Sequence, residues 1–111
     1  MSREIPESDW RQFREVHKLL VERFSQKILD ELARIIESGQ GTAHDKYLHI
    51  YKLIEKRDRE LGTAFNDFRR STAIMQLIVM RRMGLLTDQD LLRFTAETQR
   101  TIHDIASLDR L

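Results

Sequence analysis

At 111 residues the chain has one domain's length, enough to bury roughly two thirds of the surface its unfolded form exposes and to hold a core without staples. It contains no cysteine, which excludes a disulfide framework, thiolate metal sites and a thiol nucleophile together and makes an intracellular setting the expectation. Its 19 basic and 18 acidic side chains leave a net charge of +1, too weak a global field to steer the molecule onto nucleic acid or anionic lipid, so any such binding needs a local patch.

One proline and four glycines, against 33% charged and 41% hydrophobic residues, make the mixture of amphipathic helices rather than of a turn-rich β fold. A single all-α domain over 1–111 is expected. Met1 to Pro6 lack the basic and apolar regions of a signal peptide, and no apolar run approaches the roughly 18 residues that span a bilayer. Cytoplasmic residence and no membrane partner are the corresponding expectations.

Residues 1–7 are expected to be frayed, and Ser8 has the hydroxyl of an N-cap for a first helix over about 9–38. Its apolar positions Trp10, Phe13, Val21, Phe24, Ile28, Leu32 and Ile35, with His17 in the missing step, repeat every eleven residues and keep one stripe on one face. Gly39-Gln40-Gly41 predicts a left-handed helix stop, and Thr42 with Asp45 predicts a capping box, so the next helix is an antiparallel neighbour.

The second helix is expected over about 43–83, with no proline and only Gly62 as a possible break. Tyr47, Tyr51, Ile54, Leu61, Phe65, Phe68, Met75 and Val79 form a heptad seam in which Asp58 and Thr72 take two steps, predicting a coiled-coil-like hairpin. Unbroken, this helix is roughly 60 Å long against roughly 45 Å for the first. Its last turns, which helix 1 does not reach, are apolar on every side from Ala73 to Leu86. Gly84 ends it. Thr87 with Asp90, and then Thr95, cap a short helix over about 88–94 and a last helix over about 96–107, which fold over that far end. They offer few apolar residues, so a second subunit is expected to complete the cover: a homodimer through Ile74, Met75, Ile78, Val79, Met80 and Met83.

No residue pattern assembles an active site or a cofactor site. Asp45 and His49 stand four apart on one helix, but two ligands do not hold a metal, and Asp45 is explained as a charge complementing the helix dipole. His17 on the apolar stripe reads as a core histidine facing residues 65–68, and Asp58 in the seam as a buried carboxylate needing Arg23, Lys27 or Arg57 as mate. Lys52, Lys56, Arg59, Arg70 and Arg81 fall along one side of helix 2 as a basic stripe able to track phosphates, although Glu55, Glu60 and Asp67 flank it and no aromatic ring accompanies it. The paired arginines 69–70 and 81–82 suit salt bridges within the fold. The sequence therefore predicts a non-enzymatic, homodimeric helical interaction module without cofactor or metal; a nucleic-acid-associated regulator using the basic stripe is the alternative.

Overall fold

The computed structural model describes residues 4–108, and every regular element among them is helical. Five α-helices follow in order: α1 (Glu7–Glu37), α2 (Ala43–Phe65), α3 (Ala73–Arg82), α4 (Asp88–Leu91) and α5 (Ala96–Leu108), with a single 3-10 turn at Arg70–Thr72 leading into α3. No helix among the described residues is long and apolar enough to cross a membrane.

The start of α1 differs from expectation. It begins at Glu7 after Pro6, with no side-chain cap, so Ser8 lies inside the first turn. Of the segment expected to be frayed, Met1 to Arg3 lie outside the described residues; Ile5 is buried, and its carbonyl accepts from Arg70 Nε at 2.9 Å. At the other end Ser38 closes α1 in an extended conformation, and the left-handed position falls on Gly41 (φ 80°) instead of Gly39. Thr42 and Asp45 then form both hydrogen bonds of the capping box.

The expected 43–83 helix is two helices. α2 runs straight through Gly62 and stops at Phe65, and neither proline nor glycine occupies the break. Tertiary packing explains it. A continuous helix would carry Ile74, Leu77, Ile78 and Met80 past the end of α1 into water, whereas the turn lays α3 back across the base of α1 and under α5, where Ala73, Leu77 and Met80 are fully buried. The backbone groups freed by the break find other partners: Thr72 Oγ1 and Gln76 Nε2 both donate to the Asp67 carbonyl, and His17 Nε2 donates to the Phe65 carbonyl at 3.1 Å, satisfying one of the orphan carbonyls at the end of α2. Phe68, released from the helix, packs on Trp10 and Phe13 with ring centroids 5.3 and 5.7 Å away. Trp10 thus finds its aromatic partner in the segment that follows the break.

Gly84, at φ 76°, ends α3 as expected, with the Leu85 amide reaching back to the Met80 carbonyl at 3.0 Å. Thr87 and Asp90 close a second capping box on α4. Two polar ties lock these C-terminal pieces onto α1. Asp9, buried in the first turn of α1, accepts from the Thr95 amide (2.8 Å), Thr95 Oγ1 (2.7 Å) and Thr98 Oγ1 (2.6 Å), and so caps α5 from outside it. Arg23 donates to the Asp90 carboxylate and, at 3.1 Å, to the Leu85 carbonyl.

All of the buried core belongs to this body. Val16 and Leu20, off the stripe read from the sequence, are fully buried because the base of α1 has two neighbours, α2 on one side and α3 with α5 on the other. From Ser25 to Thr63, in contrast, no residue is buried. That stretch is the distal two thirds of the α1–α2 hairpin, and it stands off the body as an arm: the molecule measures 55 × 29 × 24 Å, and its radius of gyration of 16.7 Å exceeds the roughly 13 Å of a compact chain of this length.

Candidate functional site

Within the arm the two helices meet along Ile28, Glu31, Leu32 and Ile35 of α1 and Lys46, Ile50, Leu53, Arg57 and Glu60 of α2, all half-buried. The seam of α2 is thus turned by about one residue from the expected register. Two costs decide the rotation. In the expected register the Asp58 carboxylate would be taken out of water between the helices, and so would the Tyr47 and Tyr51 hydroxyls. In the observed one Asp58 is exposed, which corrects its reading as a buried polar residue, and the charged seam position is Arg57. Arg57 donates to Glu31 at 2.8 and 3.1 Å and to Glu60 at 2.9 Å, so the cation is fully answered. The hydrogen bond from Arg57 holds the Glu31 carboxyl below its usual range, and the Arg57 guanidinium is raised in turn.

The same rotation leaves an apolar stripe in water. Tyr47 is 62% exposed, Tyr51 55% and Ile54 41%, and on α1 Leu29 is 58% and Ile36 61% exposed. At about 100° per residue, both sets lie roughly 90° from their own seam in the same rotational sense. Because the helices are antiparallel, equal rotation brings both sets to one broad side of the hairpin. The opposite side carries Lys27 and Arg34 of α1 and Lys52, Lys56 and Arg59 of α2, all exposed. One side of the arm is therefore apolar and the other basic.

The six residues of the expected dimer surface are mostly core. Ile78 and Met80 are 1% and 0% exposed; Ile74, Val79 and Met83 are half-buried against the same cluster, and Met75 alone is open, at 56%. The cover missing from the sequence-based account comes from the break after Phe65, which brings α1 over α3, and from the close packing of α5 on α3. The expected basic stripe is divided by the same break. Lys52, Lys56 and Arg59 stay together on α2, but Arg70 binds the Ile5 carbonyl and Glu7, and Arg81 binds the Leu86 carbonyl and Asp88. Arg69 pairs with Asp67, and Arg82 donates to the Ile105 carbonyl at 2.9 Å, so both arginine pairs serve the fold.

His17 is half-buried, with its ring edge-on to Phe65 and Phe68 at 5.3 and 4.7 Å, the neighbourhood that antiparallel pairing predicts. None of the proposed mates pairs with Asp58: Arg23 is committed to Asp90 and Arg57 to Glu31 and Glu60. Among the described residues no three His, Asp or Glu side chains converge as metal ligands would. The polar ties missed by the sequence reading are Asp9 with Thr95 and Thr98, and Arg23 with Asp90. Their only local signal is that Thr95 and Thr87 are caps; the partners are about 70 to 90 residues distant in the chain.

Fold and surface together define an all-α body bearing a two-faced helical arm. No protein-family model matches the chain, and no curated protein or solved structure matches it either.

Proposed function

We propose that the chain is a non-enzymatic helical interaction module that pairs with a second copy of itself through the apolar side of the arm. One observation carries this reading: a hairpin that buries no residue from Ser25 to Thr63 nevertheless displays Leu29, Ile36, Tyr47, Tyr51 and Ile54 on a single side. At about 200 Å² for a fully exposed large side chain, these residues present roughly 550 Å² per chain. Two copies together bury about 1,100 Å², just above the roughly 1,000 Å² that a specific interface needs.

The surface is also self-complementary. A two-fold axis through the apolar side near Tyr51 places the arms antiparallel as a four-helix bundle. Asp58 and His44 lie equally far along α2 from Tyr51, so each exposed Asp58 meets the other copy's His44, which stacks on Tyr47 at 6.1 Å within its own chain. The setting for this role is the cytoplasm, on the cysteine-free composition.

Light scattering during size-exclusion chromatography tests the reading. The wild type is expected at twice the chain mass, and a variant carrying Ile36→Glu and Tyr51→Glu at the chain mass with unchanged helical circular dichroism, because both positions are exposed. A wild type that stays at the chain mass at about 100 µM refutes the dimer.

A further inference from the structure

A second surface lies on the other side of the arm, where it rises from the body. Here α1, α2 and α3 enclose a cleft of about 680 Å³, open to solvent along one side. Its floor is Phe24, Val79 and Met83, the last two one turn apart on α3 and at its C-cap, and its rim is Lys27, Lys56 and Arg59. We propose that this cleft binds an acidic amphipathic helix of another protein.

Three features select that occupant. First, the charge is unbalanced. Arg57 within the cleft is answered by Glu31 and Glu60, whereas the Lys56 and Arg59 side chains make no ion pair among the described residues and lie exposed at the rim. An anion laid across the cleft gains these cations without displacing an existing pair. Second, the floor is apolar and adaptable. Val79 and Met83 are half-buried, and a thioether reshapes easily around an incoming side chain, so Leu-type residues at i and i+4 of a partner helix find matching positions. Third, the opening and the chemistry disfavour other ligands. A small molecule would lie largely in water in a cleft open along one side. A nucleic acid would find no ring to stack on, since Phe24 is only 3% exposed.

The proposal is independent of the dimer, whose surface is on the opposite side. Its test is fluorescence anisotropy with three labelled probes: a designed peptide of about four helical turns with Leu at i, i+3, i+4 and i+7 and Glu on the other face, the same peptide with Ser for Leu, and a single-stranded oligonucleotide of equal charge. The Leu/Glu peptide is expected to bind, the Ser/Glu peptide to bind at least about tenfold more weakly, and the K56E/R59E variant to lose about tenfold or more in affinity for the first. Circular dichroism and light scattering on K56E/R59E separate loss of the cleft from loss of fold or of assembly. Equal binding of the Leu and Ser peptides reduces the cleft to a charge effect and overturns the proposal, as does undetectable peptide binding at about 100 µM. Oligonucleotide binding that is tighter than peptide binding, and is abolished in K56E/R59E, replaces it with the nucleic-acid reading.

Discussion

Replacing Asp9 by alanine tests whether the contact between the ends of the chain keeps α3 covered. The carboxylate is 1% exposed and accepts three hydrogen bonds, one from the Thr95 amide and two from the hydroxyls of Thr95 and Thr98. Its removal leaves the Thr95 amide and two hydroxyls near the base of α5 without their acceptor, at about 1–3 kcal/mol for each group that stays buried and unpaired. It also removes a negative charge from the N-terminus of a 13-residue helix, about 0.5 kcal/mol more. Relief from burying a carboxylate offsets part of this, and hydroxyl rotation another part, so the expected net loss is about 2–4 kcal/mol. For a domain of this size that lowers the melting temperature by roughly 10–20 °C. Urea unfolding followed by circular dichroism gives the free energy. Amide exchange locates it: α5 and the face of α3 beneath it lose protection first, while the arm is unchanged. The variant should also bind a hydrophobic dye more strongly, as Ile78 and Met80 become accessible. A loss below about 0.5 kcal/mol, or a double-mutant cycle with Thr98→Val showing no coupling, refutes the assigned role of this contact.

Four further outcomes follow from the same geometry. Burial raises the Asp90 carboxyl, but hydrogen bonds from Arg23 and Thr87 outweigh it and hold the group below its ordinary value; its stabilising contribution is therefore complete above about pH 4 and is lost as the pH falls through the lower folded-state value, so Asp90→Asn should flatten the acid limb of a stability profile. Ile78→Ala should cost about 2–4 kcal/mol while leaving the oligomeric state unchanged, whereas Met75→Glu on the same helix should stay within about 0.5 kcal/mol of the wild type, a contrast that urea titration reads directly. Thr42→Ala removes the hydroxyl that accepts from the Asp45 amide at 3.1 Å and should cost about 1 kcal/mol, appearing first as faster amide exchange at the tip of the arm. In the wild type, amides of the arm should exchange through openings of lower free energy than those of α3, because no buried side chain anchors the stretch between Ser25 and Thr63.

Much of the molecule is legible in the sequence, and what is legible is local. Helical periodicity, the capping boxes of Thr42 with Asp45 and Thr87 with Asp90, and Gly84 as a helix stop all depend on residues within one turn of each other, so their physics is complete in a short window. The antiparallel hairpin and the placement of His17 near 65–68 follow from the same local rules with the loop length added. The candidate surfaces were less legible. Tyr47, Tyr51 and Ile54 stand out as an apolar stripe, but so do Ile50 and Leu53 one step round the helix. Only the Arg57 ion pairs and the exclusion of Asp58 from the seam decide which stripe faces inward.

The break after Phe65 is the clearest case of a tertiary decision. Nothing in Asn66 to Thr72 forbids a helix, and the heptad continues through it, but Asn66, Asp67, Ser71 and Thr72 are weak helix formers, so propensity leaves continuity open. Ending α2 there sacrifices a few intrahelical hydrogen bonds, replaced by Thr72, Gln76 and His17, and gains the burial of Ala73, Leu77, Ile78 and Met80 beneath α1 and α5. That gain depends on contacts between segments far apart in the chain, which no local window contains. By itself the sequence determined the helical character, the two capping boxes and the hairpin, because those interactions span one turn or one loop. The tertiary structure alone decided which apolar residues became core and which remained at the surface, because burial belongs to the whole packed chain.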